Sequence, residues 1–200
     1  MTAQQNIGCD PITTITSPID ERTVRELKAG QTVFITGKII TGRDKVHMRA
    51  LSPGCKAPKE LTGSTIFHCG PIMIKEQNGW KAIAAGPTTS ARMNTLGAEM
   101  IRRYKIRAVI GKGGMSDEVL EAMKEAGCVY LAAIGGAAVS LAESLKTTGV
   151  EWEDLGMAEA MWKFDAERFG PLIVAMDAHG NSIYENVNSK VNETLKRYHS

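Results

Sequence analysis

No stretch of this 200-residue chain approaches the roughly 18 consecutive apolar residues that a bilayer crossing requires, so no membrane role is expected. Met1 to Thr16 is polar and lacks the charged, apolar and small-residue zones of a secretory signal, which makes a cytoplasmic protein the expectation. Cysteine is scarce. Cys9, Cys55, Cys69 and Cys128 are far apart with no Cys-x-x-Cys pair, which argues against both a zinc ribbon and a disulfide framework. Lys and Arg number 24 against 22 Asp and Glu, and they are scattered among the acids. No basic stripe offers a footprint for nucleic acid, so any cationic site must be local.

Familiar catalytic signatures are missing as well. There is no Gly-x-Ser-x-Gly elbow, no His-Glu-x-x-His pair and no dense set of metal ligands. Gly111-Lys112-Gly113-Gly114 is not a Walker loop, because Gly113 stands where Ser or Thr should follow the lysine. A dinucleotide fingerprint fails too, with Ser116 at the place of its third glycine. There is neither an internal repeat nor a low-complexity segment.

What remains is an ordinary globular composition, 43 % hydrophobic and 23 % charged, enough for one sizeable core. Residues 1–16 read as an extended arm and 17–200 as one domain. Ser17-Pro18-Ile19-Asp20 resembles a capping box opening a short helix that Gly30 stops. The β-branched run from Thr32 to Ile40 predicts a strand, and Asp44 to Leu51 a turn or two of helix. Ser64 to His68 and Trp80 to Ala85 predict two further strands joined by a polar connection with an Asn78-Gly79 turn. Beyond residue 88, helix and strand alternate. Helices are expected over 89–104, 116–127 and 137–145, with strands at Ala108 to Ile110 and Cys128 to Ile134; short links imply parallel pairing. An acidic loop is expected over 151–159, then strands at Met161 to Phe169 and Leu172 to Asp177, and a terminal helix from Val187 to Tyr198.

Three cations stand where open α/β sheets bind anions, at predicted strand ends. Arg43 follows the first long strand. Thr88 and Arg92 are four apart at an expected helix start, which would put a hydroxyl, a guanidinium and bare backbone amides toward one space. Lys112 sits between glycines that would let a ligand approach the backbone. Arg suits a planar carboxylate because its forked donors match both oxygens. Asp44 is able to orient Arg43 or His47. Helix capping, a surface ion pair and a plain turn explain the same residues without function. His68, at a strand end, is a candidate acid or base, with a structural, hydrogen-bonded imidazole as the favoured reading; His179 reads as structural.

Taken together, Thr41-Gly42-Arg43-Asp44-x-x-His47, His68-x-Gly70-Pro71, Gly86-Pro87-Thr88-Thr89-Ser90-x-Arg92-Met93, Gly111-Lys112-Gly113-Gly114-Met115 and Phe169-Gly170-Pro171-Leu172 resemble the β subunit of iron-sulfur hydro-lyases, the class I fumarases and L-tartrate dehydratases. The similarity runs from about residue 17 to 190. It implies a swivelling β/β/α three-layer domain, with a central parallel sheet, helices on one side and a second, antiparallel sheet on the other. It also implies an α subunit that holds a [4Fe-4S] cluster, an αβ or α2β2 assembly, and no cluster on this chain. By the same resemblance Arg43, Arg92 and Lys112 contact the substrate carboxylates, Thr88 helps move a proton, and Asp44 and His47 support Arg43.

The activity so implied is reversible hydration of a small dicarboxylate, foremost fumarate to (S)-malate, with L-tartrate dehydratase or mesaconate hydratase as alternatives. A non-catalytic module that binds a small anion is a reading from another class. A phosphate-using enzyme is a third, weakened because no Mg²⁺-binding acid lies beside the glycines.

Overall fold

The computed structural model describes residues 12–77, 79–134 and 136–185. In chain order the elements are β1 (Thr13–Ser17), α1 (Glu21–Glu26), β2 (Thr32–Thr41), α2 (Asp44–Leu51), β3 (Thr65–Phe67), β4 (Ile72–Glu76), β5 (Gly79–Ala84), α3 (Asn94–Tyr104), β6 (Ala108–Gly111), α4 (Asp117–Ala126), β7 (Val129–Ala133), α5 (Ala138–Glu143), β8 (Leu145–Glu151) and β9 (Met161–Met176). Seven strands make one sheet in the order β1-β2-β3-β6-β7-β9-β8. The first five run parallel, whereas β9 is antiparallel to β7, to β2 and to β8. The β2–β9 pairing closes a ring of neighbours, so β9 belongs both to the parallel sheet and to the layer that covers it.

Two cores follow from the alternation of side chains across the parallel strands. Phe67, Ile110, Val129 and Leu131 point one way, onto Trp162, Phe164 and Phe169 of β9 and onto Met73 and Ala82 of the separate β4–β5 hairpin. Ile66, Val109 and Tyr130 point the other way, onto Ala98 and Ile101 of α3 and Val119, Leu120 and Met123 of α4. Helices α2, α3 and α4 therefore lie on one face, and the antiparallel strands lie on the other together with α1 and α5; the mixed α/β content, a mostly parallel central sheet and a separate antiparallel hairpin are as expected.

The differences from the sequence reading have local causes. Asp20, not Ser17, caps α1, its side chain accepting from Thr23 N at 2.8 Å. The Ser17 hydroxyl instead donates to the Lys38 carbonyl at 2.5 Å and lies 3.0 Å from the Thr65 hydroxyl, finishing β1. Strand β4 lies within what read as a polar connection, because Ile72-Met73-Ile74 is apolar on both faces and lacks the alternation that marks a half-buried strand. Strand β8 takes the end of the expected α5 and the start of the acidic loop; its mixed, half-exposed pattern gives no clear period. The two strands expected on either side of Gly170-Pro171 are one. Register against β2 advances three residues on β9 for two on β2 twice, between Ala166 and Phe169 and between Phe169 and Leu172. These two bulges bend β9 where it crosses between the layers.

Other expectations held closely. Ser116 and Gly127 flank α4 as its caps, and α2 has the expected bounds. Of the extended arm, only its end falls among the described residues, as β1; the terminal helix over 187–198 lies outside them, as do Cys9 and His199. No helix among the described residues is long and apolar enough to cross a membrane.

Phe169 sits between the bulges, fully buried, with its ring 5.2 Å from that of Phe67 in an edge-on contact. Phe169→Ala should cost about 3–5 kcal/mol of stability, read from a urea unfolding curve, because a rigid bulged strand collapses poorly onto the cavity.

Candidate active site

Beyond their last paired residues, β3 and β6 part, and the segment Pro87–Ser90 slots between them. His68 N still donates to Ile110 O at 2.8 Å; after that Thr88 N donates to His68 O at 2.7 Å, Lys112 N to Thr88 O at 3.3 Å and Ser90 N to Lys112 O at 3.0 Å. Cys69 and Thr89 complete the wedge through backbone bridges to Pro87 and Lys112. Thr88 is thus extended backbone and not the start of a helix. A 3-10 turn over Ser90–Met93 precedes α3, and Thr89, at its N-cap, makes no side-chain cap. Thr88 and Arg92 therefore do not share a helix face, and the amides of Thr88 and Ser90 are already spent on the sheet.

Arg43 arrives from the neighbouring strand, at the N-cap of α2. Its Nη2 pairs with Glu159 Oε1 at 3.2 Å, and both side chains are largely buried. Glu159 Oε2 accepts from Lys45 N at 3.2 Å, so this carboxylate also satisfies a free amide at the α2 N-terminus. Arg43 Nε is buried without a hydrogen-bond partner among the described residues. Gly70 makes room for the guanidinium: a β-carbon there would lie 2.5 Å from Arg43 Nη1 and 2.7 Å from Ala158 O.

Arg92 Nη2 donates to Asp44 Oδ2 at 3.0 Å, a half-exposed contact that ties the 3-10 turn to the first turn of α2. The sequence reading attached Asp44 to Arg43; its carboxylate instead holds Arg92. His47 Nδ1 lies 2.9 Å from the Arg43 backbone carbonyl. Lys112 is exposed and, among the described residues, makes no ion pair or side-chain hydrogen bond, and the half-buried Thr88 hydroxyl likewise makes none. The six expected residues thus occupy one end of the sheet, in two sets: Arg43, Asp44, His47 and Arg92 around α2, and Thr88 with Lys112 on the wedge.

Beneath both sets runs a buried polar chain. The His47 and His68 rings meet edge-on at 5.3 Å, and His68 Nδ1 is 2.8 Å from Ser90 Oγ, which also accepts from the Tyr130 hydroxyl at 3.0 Å. Burial, with the His47 charge second, holds the His68 imidazole well below its ordinary range, and burial also lowers His47 against the pull of the Arg43 carbonyl. Both rings are neutral at pH 7. Burial pushes the Tyr130 hydroxyl up, so it stays a donor. Gly111 permits this chain, since a β-carbon at that position would sit 1.9 Å from Ser90 Oγ. A cleft of about 530 Å³ beside the start of β3, among Lys59, Ser64, Thr65 and Lys163, is lined by none of these groups, whereas Asp44 and Arg92 line another of about 430 Å³.

Comparison with known proteins gives the family. Residues 4–187 match the family described as the fumarase C-terminus. The chain belongs to that family. Among its relatives, a protein of Methanocaldococcus jannaschii named L(+)-tartrate dehydratase subunit beta is 47 % identical over 88 % of this chain and 93 % of its own. The L(+)-tartrate dehydratase subunit beta of Escherichia coli is 35 % identical over 84 % of this chain and 85 % of its own. A class I fumarate hydratase of Geobacillus stearothermophilus is 43 % identical over 94 % of this chain but only 36 % of its own length. The family members so named are hydro-lyases, and this chain corresponds to their β part.

A metal cluster does not fit the described residues. No three His, Cys, Asp or Glu side chains converge to hold a metal ion among them. Burial raises the Cys69 thiol to about 12 and raises Cys128 as well, the reverse of what a thiolate ligand needs. The same end of the sheet also contains groups that sequence reasoning missed. Glu159 lay in an acidic loop with nothing to link it to Arg43. Tyr130 was hidden in an apolar run, while Ser90 stood inside a quoted motif without a role.

Gly111→Ala should destabilise the chain by about 2–3 kcal/mol in chemical denaturation, because Ser90 and Tyr130 have no free space to yield into. The buried imidazoles fix a second expectation. With folded pKa values below the ordinary 6.5, the unfolded chain takes up protons that the folded chain refuses once pH drops past that value. Stability is then complete above 6.5 and falls below it, by about 1.4 kcal/mol per pH unit for each imidazole titrating. Unfolding midpoints measured from pH 8 to 5 should follow this, with a shallower fall in His68→Gln.

Proposed function

We propose that this chain is the β subunit of a hydro-lyase that reversibly removes water from a small 2-hydroxy dicarboxylate, and that it acts only with an α subunit carrying a [4Fe-4S] cluster. Fumarate and (S)-malate are the foremost pair. The observation that carries the reading is the gathering of three cations and the Thr88 hydroxyl at the carboxyl ends of parallel strands, with a buried Arg43 Nε that, among the described residues, no acceptor takes. Family membership supplies the reaction class. The resemblance to β parts of such enzymes supports a metal centre on the partner, in an αβ or α2β2 assembly.

In this reading Arg43, Arg92 and Lys112 hold the two carboxylates. On dehydration the C–H bond next to one carboxylate and the C–O bond on the adjacent carbon break, a C=C bond forms, and the proton and hydroxide leave as water. Loss of the proton builds negative charge on the neighbouring carboxylate, and fixed cations there stabilise that charge more in the transition state than before it. Thr88 holds the proton's position. Its hydroxyl is far too weak an acid to ionise near pH 7, so it relays the proton to or from a group on the α subunit. Asp44 orients Arg92, while Glu159 and His47 fix Arg43. L-tartrate is the second reading, favoured by the names of the M. jannaschii and E. coli relatives, each of which is a chain of similar extent.

Arg92→Ala and Lys112→Ala, each purified anaerobically as a complex with the α subunit, should keep fold and assembly and lose about 30-fold to 1000-fold in turnover, or about 2–4 kcal/mol of transition-state stabilisation. Malate, tartrate and methylmalate dehydration are assayed in parallel. Wild-type rates in either variant would remove that residue from the site, and no turnover on any of the three by the wild-type complex would overturn the reading.

A further inference from the structure

We infer that the outer face of the β4–β5 hairpin is the seat of the α subunit; this rests on the two-subunit reading above. At its base the hairpin is apolar on both sides, while toward the turn the outer face carries Lys81 and Glu76, an ion pair at 3.7 Å. Met73 and Ala82 are buried in the core with Trp80 packed against it, while Ile72, Ile74 and Ile83 alternate with them and are 55 %, 40 % and 42 % exposed. Strands with one face in water normally show polar side chains there, and scattered apolar residues need no explanation where a contiguous set does. Met157, 43 % exposed, extends the set, its sulfur accepting from Met73 N at 3.4 Å.

The position of the hairpin points to the same occupant. It is an excursion between two segments of the site, leaving after Gly70 and returning at Gly86, with Cys69 bridged to Pro87. On its other flank Met157 is followed by Ala158, whose carbonyl lies against Gly70, and by Glu159, the partner of Arg43. Protein seated on these isoleucines would reach Thr88 from one side and Arg43 from the other. In the G. stearothermophilus relative the matching region is 36 % of the chain, so most of that polypeptide is further protein joined to the same unit. A relative named as a separate β subunit has no such covalent link, and an aliphatic patch is what a lasting subunit contact would use in its place. Ile183 and Tyr184 pack on the helix-side core, across the parallel sheet from the hairpin.

The test uses the α subunit of the same organism, co-expressed with tagged wild-type chain, with Ile72→Asp/Ile83→Asp, and with Ile12→Asp as an exposed apolar control. The hairpin variant should lose affinity for the α subunit by roughly 100-fold or more, with a melting midpoint near that of the wild-type chain, and the control should bind normally. Hydrogen exchange on the wild-type pair gives a readout free of substitutions: amides over 72–84 should slow on complex formation. Equal binding by the hairpin variant, or unchanged exchange there, overturns the proposal. So does a homodimer of the isolated chain that the hairpin variant dissociates, or hairpin protection in the isolated chain that vanishes when residues 1–11 or 186–200 are deleted. A pair that assembles through the hairpin yet dehydrates none of the three acids would leave this interface standing and remove the assigned reaction.

Discussion

Ser90 Oγ occupies the space where a side chain on residue 111 would begin, and the rest of the site depends on that contact. With a hydrogen atom at Gly111, the hydroxyl drops against β6 and binds His68 and Tyr130, fixing the Pro87–Ser90 wedge between two diverging strands. The wedge then sets Thr88 beside His68, Lys112 beside Thr89, and Arg92 one 3-10 turn further on. Two parallel strands that simply ended would leave their last carbonyls and amides to water. Here the backbone of a third segment takes them up, so the loop bearing Thr88 is hydrogen-bonded as an extension of the sheet.

The polar chain below the wedge costs desolvation of two imidazoles and a phenol, which hydrogen bonds offset only if every member is satisfied. It is arranged without net charge: both rings are neutral and Tyr130 keeps its proton. A hydrophobic replacement of the same shape would be no less stable, so the chain's contribution is geometric. It joins α2 through His47, β3 through His68, the wedge through Ser90 and β7 through Tyr130, and thereby ties the two sets of candidate residues to one scaffold.

How much of this was legible in the sequence follows from where the signal resides. Strand β2, helices α2 and α4 and the alternating second half carry strong local periods and caps, and they were read closely. Strand β4 was not, because Ile72-Met73-Ile74 is apolar on both faces and has no period; its signal is tertiary. The bulges of β9 looked like a break for the same reason that Gly170 and Pro171 usually are one, and only pairing with β2 on the far side restores continuity. Within the site, residue types in ordered motifs located Arg43, Thr88, Arg92 and Lys112. Their connections were not legible: Asp44 binds Arg92 across 48 residues of chain and Arg43 binds Glu159 across 116, distances over which spacing carries no information.

Charge accounting gives a reason for a shared site. Arg43, Arg92 and Lys112 supply three positive charges, and Glu159 and Asp44 already sit on two of them. One uncompensated charge remains, that of Lys112, fewer than a dicarboxylate carries. The Asp44–Arg92 pair is half exposed and worth little, so a carboxylate ligand competes with it at small cost. The Glu159–Arg43 pair is different, being largely buried, with Glu159 also held by the α2 amide of Lys45. Displacing Glu159 would strand a carboxylate in a poorly hydrated place. The ligand is better served by the donors Arg43 has left, Nε and Nη1, and by positive charge brought from outside the chain. A pocket short of one cation on this side is therefore the electrostatic counterpart of the uncovered isoleucines beside it, and one partner surface bearing a cationic centre would satisfy both.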